Sequence, residues 1–274
     1  MAIQGTRLET DEDVRRALLL HRPAARGAAV AAGAPAPADD GPPLFRPGLR
    51  PPTPLLTVYD DGSEDGEVIR IRQDRFVIGR TEGDLIIPND SQISSRHAEI
   101  RQALVKEKYR WNLIDLKSTN GTYVRINHAT LEHGQEFILG RTRYRFENQA
   151  AADATAPKPP NASDQGTRPW QSSARIDIVP AVVEQKVNGS GSRVLLSKSE
   201  TWFGKDAANC QVVMPADPFV SARHACIRRD GEGRWLLESN KSVNGVWLRI
   251  EQMPFKGTCR FMLGEQQFMI RTPA

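Results

Sequence analysis

Between residues 55 and 146 the apolar side chains fall into nine short runs, at 55–59, 68–71, 76–78, 85–87, 98–103, 109–116, 123–126, 137–139 and 144–146. Asp-Gly, Asn-Asp and Asn-Gly pairs stand between them. These residues turn a chain sharply, because Gly admits positive φ and Asx side chains bond their own backbone. Short apolar runs bounded by such turns predict strands. Nothing between them is long enough for a domain helix, so the stretch predicts a β-sandwich.

The flanking segments read differently. Residues 10–22 predict one short helix: Thr10 caps it, Asp13 sits at the capping-box offset, Val14, Ala17 and Leu18 follow at helical spacing, and Pro23 ends it. From 24 to 54 the chain is mostly Ala, Pro and Gly with few large apolar residues, too few to offset the entropy of ordering. Residues 1–54 are therefore expected to form a disordered, flexible arm carrying that helix. Residues 149–173, rich in Ala, Pro, Asn and Ser, predict a flexible linker spanning roughly 25–30 Å on average. The halves it joins are expected to move independently.

Beyond the linker the pattern repeats. Arg110-Trp111 recurs as Arg234-Trp235, Asn120-Gly121 as Asn244-Gly245, Tyr123 as Trp247, and Phe137 to Gly140 as Phe261 to Gly264, all at one constant offset. Gly79 recurs as Gly204, and Ser94 and His97 as Ser221 and His224, with slightly larger offsets that small loop insertions explain. The expected organisation is all-β: one sandwich over 55–148 and a second over 174–272.

Composition narrows the functional classes. A chain of 274 residues with 37 Lys+Arg, 33 Asp+Glu and a formal charge of +4 is only mildly basic, with both signs interspersed. That is not a nucleic-acid footprint. The three cysteines, Cys210, Cys226 and Cys259, are odd in number and lack metal-type spacing, so they predict reduced thiols and a cytoplasmic protein. Acidic Asp11, Glu12 and Asp13 precede only a short apolar run at 17–20, which does not make a secretory signal. No run approaches the ~20 apolar residues of a membrane helix, and membrane insertion is not expected.

Three signatures carry the candidate chemistry: Gly79-Arg80, Ser94-Ser95-Arg96-His97 and Ser118-Thr119-Asn120-Gly121. Taken singly, Asn120-Gly121 reads as a hairpin turn, Arg80 as a solvated strand end, and Ser94 as a hydroxyl bonding its own backbone. Taken together they offer a planar cationic fork and several donors on loops held by a rigid scaffold. A phosphate with a charge of about −1.5 to −2 and three acceptor oxygens needs such a receptor.

Their order and spacing between strand-like runs resemble a forkhead-associated (FHA) domain, a module that reads phosphothreonine in partner proteins. The resemblance covers about 55–148 and 174–272. It implies that Arg80 and Ser94 contact the phosphate, that Ser95 and Thr119 flank it, and that Asn120 clamps the peptide backbone. Gly79, His97 and Gly121 are implied as the scaffold of the recognition loops. In the second copy Lys205, Ser221 and Asn244 are the candidates with His224 as scaffold, but Lys205 replaces Arg80 and Val243 replaces Thr119. A lysine is a point charge without the two-pronged geometry, so the second module is expected to be weaker or divergent.

The implied function is a non-catalytic phosphopeptide-binding adaptor in Ser/Thr kinase signalling, with phosphothreonine proteins and a Ser/Thr protein kinase as partners. No cofactor or small-molecule substrate is implied. The rival reading is a structural or transcription-related interaction protein with weak nucleic-acid binding, suggested by Arg141, Arg143 and Arg145 alternating along one strand. An enzyme pairing Ser94 with His97 lacks a nucleophile elbow and an orienting acid. A metal site from His97, His128 and His133 lacks the usual supporting spacing. Thr10, followed three residues later by Asp13, is a possible phosphosite as well as a helix cap.

Overall fold

The computed structural model describes residues 6–8, 53–59, 65–105, 108–148, 179–186 and 188–272. The expected helix at 10–22, the candidate phosphosite Thr10 and the linker at 149–173 lie outside them. Each of the nine apolar runs is a strand, and no helix occurs among the described residues.

The first repeat forms β2 (Leu55–Tyr59), β3 (Gly66–Arg70), β4 (Arg75–Gly79), β5 (Leu85–Ile86), β6 (Ala98–Val105), β7 (Lys108–Asp115), β8 (Thr122–Leu131), β9 (Glu136–Leu139) and β10 (Thr142–Glu147). The second forms β11 (Ala181–Lys186), β12 (Gly189–Leu195), β13 (Glu200–Gly204), β14 (Val212–Val213), β15 (Ala225–Arg229), β16 (Trp235–Ser239), β17 (Val246–Ile250), β18 (Gln252–Phe255), β19 (Thr258–Leu263) and β20 (Gln266–Arg271). A two-residue strand from the arm, β1 (Arg7–Leu8), precedes them.

The sandwiches do not follow the repeats. β2 pairs with β20, β7 with β18, and β19 with the first half of β8, so the last three strands of the chain complete the sheets of the first repeat. In return β10 pairs with β11, β9 with β17, and the second half of β8 with β16. The crossing point is β8, an uninterrupted strand that serves one sandwich through Ile126 and the other from His128. There β8 runs antiparallel to β17, with Val124 opposite Leu248, its own counterpart in the repeat. The exchange is therefore symmetric about that pair. The halves expected to move independently share one fifteen-stranded sheet, because similar repeats offer each other the same edges and the same apolar faces.

The core follows from the strand alternation. In the second sandwich Tyr144 and Phe146 of β10 meet Phe203 of β13 and Trp235 of β16 across the layers, at ring separations of 5.7 and 6.3 Å. Leu56, Ile78, Ile100, Leu113, Phe261, Phe268 and Ile270 are fully buried in strands of the first sandwich, and all belong to one continuous apolar cluster with the second. On the side of β8 that β19 covers only as far as Val124, Leu8 pairs with Ile126 and Arg7 with His128. Two residues of the expected arm thus extend the sheet. The three cysteines are buried and unbridged, and burial pushes the Cys226 and Cys259 thiols up to about 11 and 12. No helix among the described residues is long and apolar enough to cross a membrane.

Candidate functional site

Strand β4 ends at Gly79 because nothing larger fits there: a Cβ would lie 2.1 Å from the Ser95 carbonyl oxygen. That close approach lets Arg80 N–H donate to Ser94 O at 2.9 Å, and Glu82 N–H to Ser95 O at 3.0 Å. The loop carrying Arg80 and the loop carrying Ser94 and Ser95 are thereby zipped together. Ser95 contributes its carbonyl to this zip, and its side chain is exposed.

His97 locks this pair of loops to the third. It is fully buried. Its Nδ1 accepts from Ser94 N–H at 3.1 Å, which leaves the proton on Nε2 to donate to Gly121 O at 3.1 Å. Burial is the main cause that lowers its pKa, so the neutral ring fits both bonds. Gly121 takes φ +86°, and the space its side chain would fill holds the Arg249 guanidinium from β17. Arg249 is in turn paired with Glu136 at 2.8 Å, which also binds Arg145.

Asp115 shapes the third loop. Its carboxylate accepts from Ser118 N–H at 3.0 Å, Ser118 Oγ at 2.5 Å and Thr122 Oγ1 at 2.7 Å, while Lys117 is driven to φ 59°. A non-glycine residue in that region persists only where its surroundings over-determine it. The loop then presents its polar groups outward. Thr119 N–H donates to Ser94 Oγ at 3.1 Å, which orients the hydroxyl and leaves its proton for an incoming acceptor. Asn120 Nδ2 donates to Gln92 O and Gln92 Oε1, both at 2.8 Å. No carboxylate among the described residues pairs with the half-buried Arg80. Arg80, Ser94, Thr119 and Asn120 thus lie on three mutually bonded loops at one end of the sandwich.

The second copy keeps the lock and alters the contact face. Lys205 N–H donates to Ser221 O at 3.1 Å, Ser221 N–H to His224 Nδ1 at 3.1 Å, and His224 Nε2 lies 2.9 Å from Gly245 O. Burial is the main cause lowering His224 as well. Asn244 Nδ2 donates to Phe219 O at 2.9 Å. The loop is held from beneath by Arg125 of β8, whose Nη2 donates to Ser242 O at 3.3 Å and Val243 O at 2.7 Å. Ser239 stands where Asp115 does and bonds Ser242 at 3.2 Å.

Several contributors were not legible in the residues taken as a sequence. Asp115 and Ser118 form a local Asx pattern that turn chemistry could have flagged. Arg249 and Arg125 reach the opposite repeat's site only because of the exchange. The alternating arginines each contact protein: Arg141, in the turn before β10, lies 4.9 Å over the Phe219 ring, Arg143 of β10 donates to Asn120 O and covers Tyr123, and Arg145 of β10 pairs with Glu136. His133 Nδ1 accepts from Asn148 N–H, a contact unrelated to that of His97, and among the described residues no three His, Cys, Asp or Glu gather as metal ligands.

The FHA domain family matches residues 76–140 and 201–264. Over 99 residues the chain is 33% identical to the glycogen accumulation regulator GarA of Mycobacterium tuberculosis, covering 35% of this chain and 59% of that protein. It is 31% identical over 96 residues to an oxoglutarate dehydrogenase inhibitor of Corynebacterium jeikeium, covering 34% of this chain and 64% of the relative. The chain thus spans less than two thirds of the length of these curated relatives. Among solved structures it is similar to one from an analysis of phosphothreonine-dependent FHA domain interactions, at 37% identity, covering 26% of this chain and 68% of that one, with a TM-score of 0.21.

Proposed function

The chain belongs to the forkhead-associated family, and on that premise we propose that its first site binds phosphothreonine in partner proteins, making it an adaptor in Ser/Thr kinase signalling. The supporting observation is the pair of hydrogen bonds that His97 makes, accepting from Ser94 N–H and donating to Gly121 O. Through it the loops that carry Arg80, Ser94 and Asn120 are joined before any ligand arrives. Pre-ordered donors lose little entropy on binding. Arg80 grips two phosphate oxygens, Ser94 donates to the third, Thr119 and Ser95 flank the phosphate, and Asn120 exchanges its bond to Gln92 for the peptide backbone. The chemistry is recognition.

Titration of the whole chain with a phosphothreonine peptide, its unphosphorylated form and its phosphoserine form tests this. Only the phosphothreonine form is expected to bind tightly, and Arg80→Ala removes charge-assisted bonds of roughly 1.5–3 kcal/mol each, so affinity at this site falls at least tenfold. Equal binding of the unphosphorylated peptide contradicts the reading.

A further inference from the structure

The strand exchange places a residue of each repeat beside the site of the other, and the two residues carry opposite charge. The turn between β9 and β10 is Gly140-Arg141, and it docks on the 217–220 loop of the second site. Arg141 N–H donates to Asp217 Oδ2 at 2.7 Å, and a side chain at Gly140 would strike Asp217 and Val220. The Arg141 guanidinium stands 4.9 Å from the centre of the Phe219 ring. Phe219 is the residue whose carbonyl Asn244 binds, and it is 42% exposed. Arg141 is itself exposed, one residue away from the Asn244 clamp. At the first site the corresponding turn is Gly264-Glu265 of the second repeat, with Glu265 N–H donating to Asp90 Oδ2 at 2.7 Å and Glu265 exposed.

We propose that the second site is a composite site for phosphothreonine peptides with acidic flanking residues, completed by Arg141 from the first repeat. This rests on the reading of Lys205, Ser221 and Asn244 as phosphothreonine contacts. Lys205 supplies a single point charge against a phosphate of about −1.5 to −2. Arg141 adds a second cation, 4.9 Å over the Phe219 ring and exposed, whose N–H fork is free in geometry to take a carboxylate beside the phosphate. Glu265 does the reverse at the first site, repelling acidic flanks and attracting basic ones. One chain thereby sorts two sets of phosphopeptides by charge. In an unexchanged fold the two residues would trade places, so specificity reports on the exchange as well.

Two variants of the full chain isolate the sites: Arg80→Ala with Ser94→Ala leaves the second, and Lys205→Ala with Ser221→Ala leaves the first. Each is titrated with phosphothreonine peptides that differ only in carrying Asp or Lys at the flanking positions. The chain with only the second site is expected to prefer the Asp-flanked peptides roughly three- to fivefold, the range of an exposed ion pair, with the preference shrinking as salt rises. Arg141→Glu inverts that preference, Arg141→Lys keeps its sign, and the preference of the first site does not respond to Arg141→Glu. An Arg141→Glu change that moves the first site, or neither, overturns the proposal. So does failure of the second site to bind any phosphothreonine peptide while the first still binds. Failure at both sites brings down the phosphothreonine reading itself.

Discussion

In the first site Thr119 N–H is bonded to Ser94 Oγ, and a buttressing carboxylate, Asp115, orders the loop behind it. In the second, Val243 stands in place of Thr119, its carbonyl is drawn toward Arg125, and a serine replaces the aspartate. Both keep the buried histidine with the same two partners. The lesson is that the lock and the contact face are separable. The lock is a backbone device that a fold retains for its own stability, whereas the contact face consists of exposed groups that change at little folding cost.

The comparison breaks most completely if the exchange is absent. Cysteines replacing Asp90 and Glu265 sit on directly bonded positions of opposite repeats, and oxidation is expected to link them within one chain, whereas Asp90→Cys with Arg141→Cys does not link. Mass mapping of the oxidised peptides reads the result. A link between 90 and 141 instead would return each repeat to its own sandwich.

Next in size is the lock. His97→Ala leaves Ser94 N–H and Gly121 O without their partner, at about 1–3 kcal/mol for each buried group, and is expected to lower the melting temperature and abolish binding at the first site. His224→Ala is expected to cost comparable stability while leaving first-site binding in place. Loss of binding without loss of stability in His97→Ala would make His97 a ligand contact rather than a scaffold.

Both histidines also predict a pH dependence. Their pKa values are lowered in the fold by burial, so the unfolded chain takes up protons, beginning near pH 6.5, that the native chain excludes. Stability is therefore full above about pH 6.5 and falls as pH drops below it, by at most about 1.4 kcal/mol per histidine per pH unit. Denaturant titrations between pH 7.5 and 5.5 check this, and His97→Gln should flatten the slope. A slope of opposite sign contradicts the neutral, buried assignment.

The smallest expected effect is Lys205→Arg, which restores the two-pronged geometry and should strengthen phosphothreonine binding at the second site a few-fold, roughly one hydrogen bond's net worth. Calorimetry on the chain carrying Arg80→Ala and Ser94→Ala reads it without interference. Weaker binding would show that the pocket is built around the lysine.

The strands, the two repeats and the gathering of the motif residues on joined loops were legible because they rest on local patterns: alternation, turn residues and motif spacing. All nine apolar runs of the first repeat are strands, and Gly79, Arg80, Ser94, His97, Thr119, Asn120 and Gly121 lie on the three joined loops. Which half of each repeat completes which sandwich was not legible. Val124 and Leu248, or Phe137 and Phe261, are equally apolar partners for either site, so pattern alone cannot choose between an exchanged and a closed pairing. For the same reason Arg249, Arg125 and Arg141 could not be placed beside the opposite repeat's loops. Ser95 was implied as a side-chain contact, and what it visibly supplies is a carbonyl that holds Glu82 N–H.

The most direct test of the central claim is to titrate one phosphothreonine peptide with uncharged flanking residues against the two site-isolating variants of the full chain. The variant that keeps Arg80, Ser94, Thr119 and Asn120 is expected to bind at least tenfold tighter than the variant that keeps Lys205, Ser221 and Asn244. Equal affinities, or tighter binding at the second site, would contradict the roles given to Arg80 and to the Thr119–Ser94 bond.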